Sequence, residues 1–229
     1  MSASAVLFSG GLDSAVLVAL ERRSHDSVWP IHVRSGLAWE DAEARAIARL
    51  MAAPPFAGRV HPVTTLELDM RDVYPATHWA VRGTPPAYDT PDEDVYLEGR
   101  NLVLSSKAAV LCARLHVERL ALGPLAGNPF PDATPEFIAA LSRALSLGLG
   151  RALDVVTPLV TMHKEDVIAL GLELDVPLAL TLSCMNPSGD RHCGQCSKCR
   201  ERHDAFLAAG VDDPTEYAAL HKRPGADRS

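Results

Sequence analysis

Nothing in this sequence narrows the fold as sharply as the hexapeptide Ser9-Gly10-Gly11-Leu12-Asp13-Ser14. It sits between the apolar run Ala5-Val6-Leu7-Phe8 and a helix-like stretch, 14–23, that is almost continuously apolar from Ala15 to Leu20. A short buried strand, a glycine turn and a helix packed back on the sheet is how a parallel βαβ unit opens. The paired glycines let the backbone turn sharply and approach an anion with no Cβ in the way. Ser9 and Ser14 add hydroxyls, and the helix that follows aims its unpaired N–H groups and positive dipole end at the same spot. The loop reads as a phosphate cradle, the competing reading being a tight turn with a serine cap. Asp13 is discordant, because a carboxylate repels phosphate unless it holds Mg²⁺ or faces another part of a nucleotide. No Walker A sequence occurs, and Gly148-Leu149-Gly150 meets Leu153 where a dinucleotide fingerprint needs its third glycine.

The rest of the chain repeats the strand–helix alternation. Strands are expected at 28–33, 60–66, 119–122 and 154–157, and helices at 39–51, 99–115, 134–147 and 163–174. This order predicts an α/β fold, a Rossmann-like doubly wound parallel sheet. Segment 69–98 holds four prolines and little periodicity, and is read as a long excursion near the site rather than core. At 229 residues and 47% hydrophobic, the chain has room for one large domain with a small appendage. A net charge of −7 argues against a sequence-independent grip on nucleic acid. The longest apolar runs stop at six residues, where a membrane span needs about 20. With no secretory signal visible before the first strand, the expected location is cytoplasmic.

Four of the five cysteines crowd together: Cys184, then eight residues, then Cys193-Gly194-Gln195-Cys196-Ser197-Lys198-Cys199. Two-residue gaps let paired thiolates converge on one ion, and four sulfurs suit a closed, structural Zn²⁺ site. An iron–sulfur cluster also uses four cysteines, and zinc is the expectation. His192 and His203 flank the cluster and are read as surface residues. Lys198, Arg200 and Arg202 either offset thiolate charge or are solvated. The chain divides into a body at 1–180, a zinc-binding helical element at 181–221 and a frayed tail at 222–229. Loop and cluster lie at opposite ends of the sequence, so nucleotide binding is expected to survive loss of Cys196.

The hexapeptide resembles the PP-loop of the N-type ATP pyrophosphatases, which cleave ATP between the α and β phosphates. Together with the cysteine spacing, it makes the chain resemble the 7-cyano-7-deazaguanine synthase family. Gly99-Arg100-Asn101, Pro131-Asp132 before Pro135-Glu136-Phe137, Pro158-Leu159 before Lys164, and Thr181-Leu182-Ser183-Cys184 continue the match in order. The resemblance implies an adenine nucleotide alpha-hydrolase-like fold. It also implies conversion of 7-carboxy-7-deazaguanine and ammonia to the nitrile preQ0, with AMP and pyrophosphate released. ATP with Mg²⁺ would be bound by Phe8, Ser9, Gly10, Gly11, Leu12, Asp13, Ser14, Ala15 and Val16. Asp13, Lys164 and Arg100 would be catalytic, Asn101 and Asp132 would bind substrate, and the assembly would be a homodimer. Read without the resemblance, Lys164 has a solvated first-turn lysine as its lesser alternative, Arg100 is equally a partner of Glu98 or Asp94, and Asp132 has an ordinary turn residue as its alternative. The chain departs from the family at Arg34-Ser35-Gly36-Leu37, at 125–130 and at Ala133. Those departures leave a different acid as one competing function; a PP-loop enzyme of tRNA modification and a non-catalytic zinc module are the others.

Overall fold

The computed structural model describes residues 2–219; the expected frayed tail lies outside them. Five strands, β1 (Ala3–Leu7), β2 (Ser27–Arg34), β3 (Thr64–Glu67), β4 (Arg119–Ala121) and β5 (Asp154–Val156), form one all-parallel sheet in the order β3-β2-β1-β4-β5. The helices are α1 (Leu12–Ser24), α2 (Glu40–Ala52), α3 (Trp79–Arg82), α4 (Arg100–Leu115), α5 (Pro135–Leu149), α6 (Lys164–Glu173) and α7 (Ser197–Ala209). Successive β1 side chains serve opposite faces: Val6 packs with α1 and α6, and Ala5 with α4 and α5. With both faces covered, an inner strand is apolar throughout, which explains the Ala5-to-Phe8 run. α1 lies between the sheet and α6, so Leu12 and residues 15–19 are all buried. From β1 the chain builds outward through β2 and β3, then returns to add β4 and β5 on the other side. Connections leaving β1 and β4 part in opposite directions there, and the crevice they leave is where such sheets bind ligands. The hexapeptide sits in that crevice.

Three details differ from the sequence reading. β3 begins at Thr64 rather than residue 60, because Pro62 has no N–H to give the ladder. α1 begins at Leu12, so Asp13 and Ser14 belong to a helical first turn and only Ser9, Gly10 and Gly11 form the loop. The excursion at 69–98 is partly core after all. Tyr74, Ala80, Val95 and Leu97 are buried with Trp39, Leu182 and three of the clustered cysteines, and α3 and a 3₁₀ turn (Asp92–Val95) punctuate the segment. Among the described residues no helix is long and apolar enough to cross a membrane.

Candidate active site

A cavity of about 560 Å³ opens beyond the carboxyl ends of the inner strands. Phe8, Ser9, Gly11, Leu12, Asp13 and Ser14 form one wall, Arg100, Asn101 and Asp132 another, and Lys164 a third. Gly10 turns away: at φ +76° it takes the left-handed conformation, and a Cβ there would stand 3.0 Å from Ile47 of α2. Ala15 and Val16 also miss the cavity, being fully buried in the core. Within the loop, the Ser14 hydroxyl donates to the Gly11 carbonyl at 3.0 Å and accepts from the Ser9 amide at 3.3 Å. This fixes the first turn of α1 with its free N–H end toward the cavity.

The charged wall is a chain of alternating signs. Lys164 Nζ lies 2.6 Å from Asp13 Oδ2 and 3.0 Å from Glu201 Oε1, and Glu201 Oε2 is 2.5 Å from Lys198 Nζ. The Lys164 side chain is only 14% exposed, which removes the solvated reading. Burial opposes its charge, and Asp13 with Glu201 outweighs burial, holding the ammonium above its usual range. Burial likewise pushes Glu201 up, and the two lysines pull it down to about 2. Asp13 Oδ1 remains buried with no hydrogen-bond partner. Glu201 was invisible in the sequence, because nothing local marks a glutamate two positions past a cysteine as a neighbour of the first helix.

Arg100 opens α4 directly after Gly99, whose φ of +69° turns the chain into the helix. Its Nε is buried without a partner, and the carboxylates that feel its charge are Glu43 and Asp132. Asp132 is buried, and its carboxylate is occupied: Oδ2 accepts from the Asn101 amide at 2.8 Å and Oδ1 from Asn101 Nδ2 at 3.4 Å. The pair ties the start of α4 to the 3₁₀ turn Pro131–Ala133. Glu43, on the inner face of α2, is a second residue the sequence did not single out. Burial raises its carboxyl to about 7 against the pull of Arg100. Two aromatic pairs contribute to the lining: Trp39 with Trp79, ring centroids 5.8 Å apart, and Tyr96 with Phe130, 5.0 Å apart. Residues 125–130, where the chain departs from the family pattern, line the cavity, whereas 34–37 do not.

The four clustered cysteines converge as a candidate metal site, their sulfurs all within 4.8 Å of one another. The amides of Asn186 and Cys193 point at Cys184 Sγ at 3.3 and 3.2 Å, and that of Gly194 at Cys199 Sγ at 3.4 Å. Such donors stabilise thiolates. Gly194 is required there: φ is +74° and an added Cβ would collide with the Ala219 carbonyl. His192 is not a surface residue. It is 4% exposed, and its Nε2 accepts from the Ser183 amide at 3.0 Å, so it braces the loop instead of ligating. The His203 side chain is 44% exposed, as expected. Arg202 is not solvated, and the anions that support its charge are Asp213 first, with Cys199 among the rest. Fully buried, it donates to Thr181 Oγ1 and the Leu178 carbonyl, both at 2.8 Å. The Leu182 amide then donates to the Gly10 carbonyl at 2.9 Å, joining this element to the glycine loop.

A glycine loop at the switch point of a 3-2-1-4-5 parallel sheet, faced by a buried lysine, defines a PP-loop-type nucleotide-binding α/β protein. Two solved structures share the fold. A 4-thiouridine synthetase in complex with RNA and bound ATP aligns with 91% of this chain and 51% of its own at TM-score 0.51 and 14% identity. A predicted subunit of a tRNA methyltransferase from Methanocaldococcus jannaschii aligns with 97% of this chain and 94% of its own at TM-score 0.50 and 18% identity. The family model described as queuosine biosynthesis protein QueC matches residues 3–210, and the chain belongs to that family. The protein of Methanothrix thermoacetophila named 7-cyano-7-deazaguanine synthase is 36% identical, over 95% of this chain and 99% of its own. Proteins of the same name from Xanthomonas campestris and Anaeromyxobacter dehalogenans are 33% and 34% identical, over 95% and 93% of this chain and 99% and 94% of theirs.

Proposed function

We propose that this chain is an ATP-dependent carbon–nitrogen ligase that converts 7-carboxy-7-deazaguanine and ammonia to 7-cyano-7-deazaguanine, releasing AMP and pyrophosphate. The observation that carries this reading is the Lys164 ammonium, buried against Asp13 in the first turn after the glycine loop. A carboxylate does not lose oxygen to ammonia unaided. Attack of the carboxylate on the α-phosphorus of ATP expels pyrophosphate and gives an acyl adenylate. Ammonia then displaces AMP and sheds a proton, leaving the amide. A second ATP adenylates the amide oxygen, and loss of AMP and the remaining N–H protons gives the nitrile. In this course the N–H groups at the start of α1 and Lys164 hold the departing pyrophosphate, and Arg100 holds the acid. Their contribution is positioning and charge stabilisation, as in phosphoryl transfer generally. Bound with ATP, Mg²⁺ would neutralise phosphate charge, and the unpartnered Asp13 Oδ1 is the oxygen free to hold it. Asn101 and Asp132 act on substrate through the placement of α4, since they are bonded to each other.

Zinc belongs to the same reading. Zn–S bonds of about 2.3 Å place tetrahedral sulfurs about 3.8 Å apart, and the Cys193–Cys199 and Cys196–Cys199 separations are 3.8 and 3.6 Å. A cluster of several irons would hold the sulfurs farther apart. A zinc ion there would supply folding energy to the element beyond residue 180. The partners are then the deazaguanine acid, ATP, ammonia and a second copy of the chain, in the cytoplasm. Thiolase-type chemistry on RNA finds no support in Cys112, which is fully buried and whose thiol burial pushes up to about 12. The test is a screen of carboxylates for acid-dependent conversion of ATP to AMP, with mass spectrometry of the product. The expected result is the nitrile from 7-carboxy-7-deazaguanine. AMP formation with another acid and none with this one would overturn the reading.

A further inference from the structure

β2 carries a histidine where a strand covered on both faces would carry an apolar residue. His32 is 3% exposed, and its Nδ1 lies 3.1 Å from the Phe8 carbonyl oxygen. A carbonyl only accepts, so Nδ1 carries the proton, and in the neutral ring Nε2 is left as a bare acceptor. Burial holds the imidazole below its usual range and so keeps it neutral. Nε2 is itself buried with no hydrogen-bond partner among the described residues, although the ring lines the cavity. A buried acceptor is almost always satisfied, and one left without a partner on a side chain that lines a cavity marks the place of a missing donor.

Phosphates and carboxylates are acceptors only and repel a bare ring nitrogen. The missing donor is therefore not on the charged end of either ligand. Arg100, whose Nε is the orphaned donor of the same cavity, serves the charged end instead. Resting on the ligands of the proposed reaction, we propose that His32 Nε2 accepts a hydrogen bond from a ring amino or ring N–H group of the heteroaromatic ligand in the cavity. Two sources carry that chemistry, the 6-amino group of ATP and the N–H groups of the deazaguanine acid. His32 thus reads a base, and makes this chain selective for bases that present a donor at that point.

The test titrates ATP, purine riboside triphosphate (ATP without its 6-amino group) and 7-carboxy-7-deazaguanine onto full-length wild type, His32→Gln and His32→Leu. One lost hydrogen bond weakens binding about tenfold, and the glutamine carbonyl recovers most of it. If ATP is the source, His32→Leu weakens ATP and leaves purine riboside triphosphate unchanged; if the acid is, only the acid weakens. In wild type labelled with ¹⁵N-histidine, the Nε2 resonance shifts on adding the responsible ligand and not on adding pyrophosphate, a readout that does not depend on any variant folding. A ligand-bound wild type whose Nε2 resonance stays put, or a folded His32→Leu protein that binds all three as wild type does, overturns the proposal alone. Equal weakening of ATP and purine riboside triphosphate, with the acid unaffected, also overturns it, because the donor would then not be a ring group. Wild type that binds neither ATP nor the acid overturns the functional reading and this proposal together.

Discussion

Asp13 stands in the first turn of α1 with one oxygen on Lys164 at 2.6 Å and the other buried and unpaired. Asparagine keeps its shape and removes its charge. Asp13→Asn is expected to melt within a few degrees of wild type while pyrophosphate release falls at least about tenfold, since a charged partner is worth about 1.5–3 kcal/mol; an unchanged rate would take Asp13 out of the mechanism. Glu43 makes a prediction about pH. Its carboxyl is raised from 4.5 to about 7 by burial, so between those values the folded chain binds more protons than the unfolded one. Stability contributed by the neutral carboxyl is full below about 4.5 and is lost as pH rises through 7, by about 3 kcal/mol at about 1.4 kcal/mol per pH unit. Denaturant unfolding at pH 5 and pH 8 should show that fall in wild type and a smaller one in Glu43→Gln; equal slopes would dismiss it. Glu43 escaped the sequence reading because it lies among charged neighbours on an Ala-rich helix, and only packing shows which of those charges faces inward.

At the scale of elements, α7 shows how far the reading by sequence order fell short. Its N-cap is Cys196, it carries Cys199, and one turn in it presents Glu201 to Lys164, with Lys198 on the same carboxylate. Just upstream, the Leu182 amide is bonded to Gly10. The cysteine element is thus a neighbour of the glycine loop, although 174 positions separate Gly10 from Cys184. Cys196→Ser should therefore lower the melting temperature, bind less than one zinc per chain by elemental analysis, and also weaken ATP binding about tenfold. The expectation that nucleotide binding would persist held the two ends apart because they are apart in sequence. A variant with loosened α7 and wild-type ATP affinity would show that the Glu201–Lys164 link carries no weight. The extra burial in 69–98 has a similar cause: with no periodicity to read, Tyr74 and Leu97 became core only because Trp39 and the cysteine loop stand opposite them.

At the scale of the whole molecule, the exposed apolar residues of α4 and α5 are one candidate surface for the proposed homodimer, beside Leu172 on α6 and Leu207 on α7. Leu102 and Val110, two turns apart on α4, are 43% and 55% exposed, and Leu147 on α5 is 73% exposed. Sedimentation should show a dimer for wild type and a monomer of unchanged melting temperature for Val110→Glu with Leu147→Glu; an unaltered dimer would move the interface elsewhere. Apolar periodicity and the placement of glycine and proline determined by themselves the alternation of strands and helices, and with it a parallel sheet opening on a phosphate-sized turn, because these signals are local and repeat within a few residues. Cysteine spacing determined a four-sulfur site for the same reason. Tertiary structure alone decided which charges meet. The placing of Glu201 against Lys164, of Asp132 on Asn101 and of an unsatisfied His32 at the cavity depends on contacts between segments remote in sequence, and a buried charge or lone pair leaves no periodic mark in the chain that carries it.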